Sequence, residues 1–552
     1  MYERLVAHGV VDNFDAGRER RGLWFTDSDL YKWLEAAAAS LATTPDDALA
    51  TLVGSTVERI TAAQRPDGYL DTAFPPEKQF GDLTWTHECY CTGHLVQAAI
   101  ELWRATGSRT LLDAAVRAAD LLDTTFGPGR REDRDRHPVV EMALVDLARV
   151  TGDDRYRRLA RFFSDLVGSD DWSRLWGHAV CALYHACGCT DLALDGDDHL
   201  VDRLRRWWDD LVSTSSYVTG GVGGRWIAES VGRPYELPQE GAYAETCAAV
   251  ASAQWAWRML RLIGDATIGD HLERVLHNAV LAGMSWRGDE WFYANALGSS
   301  AMEERHPFIG DDLPIRVAGP FPLRRLPWRD VTCCPPNVAR TLAAFGRYCY
   351  LAAPDELRVV LHVRSRVRAG GFDVEVDTDM PWGGRVVARV HDAPAHDATI
   401  SLRIPSWSAL PDAGTWRAER RRWRSGDLIE LDLGVAPTLV EANPRITDTR
   451  GAVAVVRGPL VYCAEGVDNP GIDLRDVHVA PDAAIVEERS DLFGGVTVLA
   501  IPAHEIPWTG PAYRTVSTAP SGGRACTLRL VPFHLWANRG VTPMRIWFTR
   551  SA

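Results

Sequence analysis

The feature that most constrains this fold is a repeat of helical hairpins that runs to about residue 355. Apolar helical runs stop at turns near Gly107, Gly152 and Gly264, and we place a further stop at Cys187–Asp191. Glycine is common just beyond a helix end because it adopts left-handed backbone angles without strain. Each stop is followed by a more charged, amphipathic helix, so the sequence predicts hairpins of one apolar and one amphipathic helix.

The apolar helix of each hairpin begins with polar residues that can bind or react. Six such starts occur, at Asp27–Asp29, Trp85–Cys91, Arg136–Glu141, Trp176–Ala179, Tyr243–Cys247 and Cys333–Cys334. Six hairpins of this kind predict a closed double ring, an (α/α)6 toroid over residues 1–355, whose inner helices all begin at one mouth. We therefore expect a polar pocket at that mouth.

From about residue 356 the pattern changes to short alternating strands separated by Gly, Pro and Asp turns. We predict a β-sandwich region over 356–552, made of two small jelly-roll-like units. Predicted strands include Leu357–Val363, Ile400–Ile404, Leu428–Leu433, Ala452–Val456 and Thr527–Val531. This region holds no catalytic constellation, and we expect it to serve as a scaffold or as the contact of a homodimer.

The composition excludes several classes of partner. A net charge of −14 argues against nucleic acid and anionic membranes. The sequence has no apolar run of about 18 residues, and its start lacks the apolar segment of a signal peptide. Eleven cysteines in 552 residues do not indicate a disulfide framework. We expect reduced thiols, a cytoplasmic location, and no partnership with nucleic acid or membrane.

Cys333 and Cys334 stand before two prolines and a helical pattern, so both thiols lie at a helix N-terminus, where the dipole favours thiolate. Together with Glu245 and Cys247 they offer three thiolates and a carboxylate, a donor set that suits Zn²⁺. The spacing is not that of a zinc finger. The alternative to a metal site is that these are buried free cysteines, which are common in protein cores. A zinc ion here would be either structural or the activator of a cysteine nucleophile.

Three histidines and one glutamate complete the candidate site. His87, His137 and His178 begin equivalent inner helices, and neutral imidazoles suit sugar hydroxyls, although a single histidine is more often structural. Glu229 follows a glycine-rich run that lacks the context of a dinucleotide-binding motif. It is either a solvated loop residue or a partly desolvated acid at the mouth that could protonate a leaving group.

Motifs along nearly the whole chain carry a family resemblance. They are Asp29–Glu35, Gln64–Leu70, His87–His94, Gly177–Val180, Glu245–Cys247, Thr332–Asn337, Arg457–Tyr462 and Trp536–Gly540. With these motifs the chain resembles the β-L-arabinofuranosidases of glycoside hydrolase family 127. The resemblance implies an (α/α)6 barrel followed by β-sandwiches, in agreement with the pattern above.

The resemblance also implies a retaining exo-glycosidase with a zinc-bound cysteine nucleophile. Cys333 matches the nucleophile, and Glu229 matches the general acid/base. The zinc ligands would be Glu245, Cys247, Cys333 and Cys334, and the sugar would be held by His87, His137, His178 and Tyr293. The expected substrate is a glycoside or oligosaccharide with terminal β-L-arabinofuranose.

The chain departs from the family pattern in three places. It begins close to the first barrel helix, its segment between His137 and His178 is short, and Ala296 stands where proline is usual. The short segment puts the aglycone side of the pocket in question. Three alternatives stay open for this chain. It could use the same machinery on another furanose or branched sugar, or it could be a zinc-stabilised protein that binds sugars without turnover. The third is a sugar epimerase built on a similar helical ring.

Overall fold

The computed structural model describes residues 1–167, 173–300, 324–508, 510–513, 515 and 523–551. Helices dominate as far as residue 343. They are α1 Tyr2–Ala7, α2 Asp27–Thr43, α3 Asp47–Ala62, α4 Glu88–Thr106, α5 Thr110–Thr125, α6 Val140–Thr151, α7 Asp154–Val167, α8 Ala179–Leu194, α9 Val201–Asp210, α10 Thr246–Ile263, α11 Ala266–Arg274 and α12 Cys334–Ala343.

The even-numbered helices contact one another in a closed cycle. Helix α2 packs on α4, α4 on α6, α6 on α8, α8 on α10, α10 on α12, and α12 returns to α2. Helices α3, α5, α7, α9 and α11 each contact an even-numbered neighbour, and they carry more exposed, charged residues. All six predicted inner-helix starts coincide with the observed starts to within four residues.

The predicted turns at Gly107, Gly152 and Gly264 are confirmed as left-handed glycines that end α4, α6 and α10. The predicted stop at Cys187–Asp191 is wrong, because α8 continues through it to Leu194. A Cβ atom at Gly188 would lie 2.9 Å from the Cβ of Glu141 on α6. Glycine here permits close packing of two inner helices and does not end one.

The strands form three sheets. They are β1 Gly298–Ser299, β2 Tyr350–Ala353, β3 Glu356–Val359, β4 Ser365–Ala369, β5 Phe372–Thr378, β6 Arg385–Asp392, β7 Ala398–Ile404, β8 Thr415–Arg421, β9 Leu428–Asp432, β10 Pro437–Glu441, β11 Ala452–Arg457, β12 Leu460–Glu465, β13 Val477–Val479, β14 Val486–Ser490, β15 Val496–Glu505, β16 Arg524–Pro532, β17 Met544–Arg545 and β18 Trp547–Arg550.

Two four-stranded sheets, β2-β3-β7-β8 and β4-β5-β6-β9, share one apolar core and so form a sandwich. The remaining strands form a ten-stranded sheet in which β1, from the helical part, pairs with β17 near the chain end. This sheet has apolar clusters on both faces. The β part is therefore two separate layered units, and the second is tied to the helical part by backbone pairing.

The strand predicted at Leu357–Val363 is shorter than expected and ends at Val359. The apolar run continues, but Val360 and Leu361 pack into the helical core, and the Val360 N–H bonds to the Cys349 carbonyl. Arg403 on β7 donates to the Val360 carbonyl and pairs with Asp270 and Glu273 of α11. These contacts join the first sandwich to the helices.

Among the helices of the described chain, none is both long and apolar enough to cross a membrane.

Candidate active site

Two helix N-termini bring the predicted zinc ligands together. Cys333 is the N-cap of α12 and Cys334 its first residue, with prolines following in the first turn. Glu245 is the N-cap of α10, and Cys247 lies in that helix's first turn. Because α10 and α12 are neighbours in the ring, the Cys247 sulfur lies 3.3 Å from that of Cys333 and 3.4 Å from that of Cys334.

The remaining separations in the cluster are similar. The Cys333 sulfur lies 3.9 Å from the Cys334 sulfur and 3.9 Å from Glu245 Oε1, and the four donor atoms all lie within 4.8 Å of one another. Sulfurs bound tetrahedrally to zinc at about 2.3 Å stand about 3.7 Å apart, whereas a disulfide needs about 2.05 Å. The cluster therefore fits a tetrahedral zinc ion in donor chemistry and in size.

Electrostatics favour a cation at the same place. Burial raises the pKa of Glu245, of Cys247 and of Cys334. Hydrogen bonds from Cys247 and Cys334 instead hold the pKa of Cys333 well below its usual range. Four anions could not share this buried site alone, and a bound dication would favour their charged forms. Cys333 is also the half-buried member of the set, while the other three ligands are buried.

Glu229 lies in a strained loop beside this cluster. It ends a short 3-10 turn, Ile227–Glu229, in which Ala228 and Glu229 both have left-handed backbone angles, with φ of 55° and 51°. Such angles cost about 1–3 kcal/mol in residues other than glycine, and they occur most often at functional sites. The loop is held in place by an antiparallel bridge between Ser230 and His178.

The Glu229 carboxylate is held by residues from two other segments. His178 Nε2 lies 2.7 Å from Oε2, and the Tyr293 hydroxyl donates to Oε1 at 3.2 Å. The Val180 N–H donates to His178 Nδ1, so Nε2 carries the proton that faces Glu229. Burial opposes ionisation of Glu229, but the hydrogen bonds from His178 and Tyr293 outweigh it and lower the pKa of Glu229.

The three predicted histidines form a row along the inner-helix starts. Ring centroids are 5.5 Å apart between His87 and His137 and 5.6 Å apart between His137 and His178. Burial lowers the pKa of His137 well below its usual range, so this imidazole is neutral and can both donate and accept. His87 has a left-handed φ of 56°, and Trp24 Nε1 donates to its Nδ1 at 3.2 Å.

Tyr293 joins the two halves of the site. Its carbonyl accepts from the Thr246 N–H at 2.8 Å, and Ala294 bridges to Glu245, which fixes the tyrosine beside the start of α10. The structure thus brings together all nine residues that the sequence suggested. They are His87, His137, His178, Glu229, Glu245, Cys247, Tyr293, Cys333 and Cys334. The short segment between His137 and His178 includes 168–172, which lie outside the described residues.

Sequence reasoning missed several polar residues that surround this set. Asn337 donates to the Cys247 sulfur at 3.1 Å, and the Tyr243 hydroxyl donates to Glu245 at 2.9 Å. Lys32 is fully buried on α2 and contacts Asp29 at 3.3 Å and the face of the Tyr90 ring at 5.2 Å. The sequence did indicate a special role for Lys32, because it is a lysine in the apolar start of a helix. Lysine is rarely buried without a partner.

Comparisons with known proteins agree over the full length. Residues 6–347 match the model of the "Beta-L-arabinofuranosidase, GH127 catalytic domain", 356–435 match the GH127 middle domain, and 437–549 match the family's C-terminal domain. The chain is 34% identical over 624 aligned positions to a non-reducing end β-L-arabinofuranosidase of Bifidobacterium longum subsp. longum. The alignment covers 99% of this chain and 91% of the relative.

Solved structures give the same result. A GH127 β-L-arabinofuranosidase from Geobacillus stearothermophilus T6 superposes with a TM-score of 0.89 at 32% identity, covering 99% of this chain and 94% of that one. A second structure, of a GH127 β-arabinofuranosidase, gives a TM-score of 0.87 at 28% identity, covering 100% and 93%. The chain belongs to glycoside hydrolase family 127 and is a glycoside hydrolase.

Proposed function

We propose that this enzyme is a retaining exo-glycosidase that removes terminal β-L-arabinofuranose, with Cys333 as nucleophile and Glu229 as acid/base. The observation that carries the proposal is the meeting of a three-thiol, one-carboxylate cluster with a second carboxylate at one pocket mouth. Glu229 and Glu245 have carboxylate oxygens within 4.8 Å, and the Cys333 sulfur lies 3.9 Å from Glu245. A furanose ring that contacts Cys333 would also lie within reach of Glu229.

The metal site would be held by Glu245, Cys247, Cys333 and Cys334. A zinc ion bound there keeps the thiols deprotonated near neutral pH and neutralises part of their charge. The half-buried Cys333 is the ligand open to the mouth, whereas Cys247 and Cys334 are buried. This difference favours Cys333 as the attacking sulfur.

In the first step the Cys333 sulfur attacks the anomeric carbon, and a C–S bond forms as the glycosidic C–O bond breaks. Glu229 gives its proton to the departing oxygen. In the second step Glu229 takes a proton from water, the water oxygen attacks the same carbon, and the sulfur leaves. Two inversions at one carbon give net retention.

Glu229 must be protonated before the first step, although its contacts favour the carboxylate. About 31% of its side chain is exposed. A sugar seated at the mouth removes this remaining water, which raises the pKa of a carboxyl group. Substrate binding therefore favours the acid form at the moment when it is needed.

The row of His87, His137 and His178, with Tyr293 opposite, would hold the sugar hydroxyls. The neutral His137 imidazole can accept from one hydroxyl and donate to another, and the Tyr293 hydroxyl lies 3.2 Å from Glu229. This places sugar-binding groups next to the acid/base. We propose the exo preference from the likeness to the Bifidobacterium relative, which is named a non-reducing end β-L-arabinofuranosidase.

The closed cycle of contacts among the six even-numbered helices supports the (α/α)6 toroid. We propose the same division as before, with residues 1–355 as the catalytic barrel and 356–552 as two small β units. A cytoplasmic location and a homodimer stay predictions.

The test is a panel of aryl glycosides given to the wild type, to Cys333→Ala and to a control, Cys463→Ala, which changes a buried cysteine in the β part. We expect hydrolysis of the aryl β-L-arabinofuranoside by wild type and control, and its loss in Cys333→Ala. Preference for another furanoside would favour the same mechanism on a different sugar. Sugar binding without hydrolysis of any member would contradict the proposal and favour a zinc-stabilised binding protein.

A further inference from the structure

The three thiols of the cluster do not have the same surroundings. The side-chain amide of Asn337 lies 3.1 Å from the Cys247 sulfur. Cys333 contacts Cys247, Cys334 and Glu245, and in the described part of the chain no amide group donates to its sulfur. Two sulfurs that would bind the same metal therefore differ in hydrogen bonding.

The direction of the Asn337 amide is fixed by its second contact. Arg340 Nε lies 2.8 Å from Asn337 Oδ1, and arginine can only donate. The amide oxygen must therefore face Arg340, and the NH₂ group must face Cys247. The sulfur is the acceptor of this bond, which suits a metal-bound thiolate.

Arg340 is itself held rigidly. It is buried, and its other nitrogens donate to Glu35 at 2.9 Å, to Gln97 at 3.0 Å and to the Tyr184 hydroxyl at 3.0 Å. These partners lie on α2, α4 and α8, while Arg340 and Asn337 are one turn apart on α12. Four inner helices thus fix the position of one amide group against one sulfur.

We infer that Asn337 is a positioning residue that keeps Cys247 on the metal as a non-reacting ligand and so leaves Cys333 as the sulfur that attacks. An N–H donor withdraws electron density from a thiolate, strengthens its fixed orientation and makes it a weaker nucleophile. Among the described residues Cys333 has no such donor, and it is the half-buried thiol of the cluster. This inference rests on the proposed function, since it assigns different tasks to the thiolates of that mechanism.

The test compares two substitutions that remove the donor in different ways. Asn337→Asp keeps an oxygen for Arg340 but has no N–H for Cys247, and Asn337→Leu removes both contacts at similar volume. The matched controls are Asn278→Asp and Asn278→Leu. Asn278 is also fully buried, donates to the carbonyls of Arg274 and Pro459, and lies where the helices meet the β part.

Three measurements are made on each variant: the equilibrium with a zinc chelator, the sulfur-to-metal absorption of the cobalt-substituted protein, and kcat and KM on an aryl β-L-arabinofuranoside. Loss of an outer hydrogen bond to a metal ligand typically costs about 10- to 100-fold in metal affinity or activity. For both Asn337 variants we expect a loss of this size in zinc affinity and in kcat. We also expect a shifted absorption band and little change in KM. The Asn278 controls should lower only the melting temperature.

The inference is overturned if both Asn337 variants keep the wild-type zinc affinity and absorption and merely melt earlier, as the controls do. The metal readouts need no substrate, so they decide the role of Asn337 even if the wild type hydrolyses no arabinofuranoside. That second result would contradict the proposed function alone.

Discussion

Replacing Glu229 with glutamine tests the acid/base assignment in a way that the structure makes quantitative. The Tyr293 hydroxyl and His178 Nε2 contact different carboxylate oxygens, at 3.2 and 2.7 Å. In the amide the oxygen can still accept from His178 Nε2, and the NH₂ group can donate to the Tyr293 hydroxyl, so the loop should keep its shape. What is lost is proton transfer to the leaving oxygen and from water. General acid–base catalysis contributes about 10²- to 10⁴-fold, or about 3–5 kcal/mol of activation free energy.

The size of the loss should depend on the leaving group. A disaccharide or alkyl glycoside needs the proton and should lose the full factor in kcat/KM. An aryl glycoside of a very acidic phenol needs little help in the first step, so its kcat/KM should change much less. Its second step still lacks a base, so the glycosyl-enzyme should accumulate after a burst of phenol release.

Azide provides the second half of the assay. In Glu229→Ala, azide can enter the vacated space and attack the glycosyl-enzyme without base catalysis. We expect its addition to restore turnover of the activated aryl glycoside and to yield a glycosyl azide of the substrate's own anomeric configuration. The control is Glu236→Gln in the same loop, a glutamate that pairs with Arg225 at 2.6 Å and should leave activity intact.

Two results would refute this reasoning. One is an equal loss of kcat/KM for good and poor leaving groups without azide rescue, which would indicate a structural role for Glu229. The other is full activity of Glu229→Gln on the disaccharide.

Three further predictions concern the metal, the domain contact and a buried carboxyl group. A chelator should abolish activity and lower the melting temperature, with Zn²⁺ and not Mg²⁺ restoring both, because sulfur donors select zinc; activity that persists in chelated, metal-free protein would contradict this. Arg403→Met should lower the free energy of unfolding in urea by about 3–5 kcal/mol, because it leaves two α11 carboxylates without their cation. The control, exposed Arg364→Met, should lower it by under about 1 kcal/mol. Equal losses would contradict a stabilising role for the Arg403 contacts. Burial raises the pKa of Glu141 to about 7, so its carboxyl binds a proton in the folded state that it releases on unfolding, and stability falls as pH rises from about 4.5 to about 7. Glu141→Gln should therefore make the slope of unfolding free energy against pH more positive, by up to roughly 1.4 kcal/mol per pH unit. The control, Glu58→Gln at an exposed position, should leave the slope unchanged. An unchanged slope in Glu141→Gln would contradict the prediction.

The sequence predicted the helix starts well because each carries a local mark. Histidine, glutamate or cysteine precedes an apolar run, and glycine with a left-handed angle ends it, as at Gly107 and Gly152. Gly188 misled the same reasoning because its role is set by α6, a neighbour that the local pattern does not reveal. Val360 likewise continues a strand pattern yet packs against helices.

The site itself was predictable only in part. Residues at helix starts were found because their position repeats along the chain. Asn337 and Arg340 lie one turn inside α12, where an isolated amide or guanidinium has the pattern of an ordinary helix residue. Their task depends on Cys247, Glu35 and the ring that brings them together, and no spacing along the chain encodes those distances.

The most direct test of the central claim is to trap the sugar on the enzyme. Glu229→Gln is mixed with an activated aryl β-L-arabinofuranoside, quenched during the accumulation phase, digested and analysed by mass spectrometry. We expect one anhydropentose unit on the peptide that contains Cys333, attached to that sulfur, and no adduct when Cys333→Ala is combined with Glu229→Gln. An adduct on another residue, or one that persists without Cys333, would contradict it.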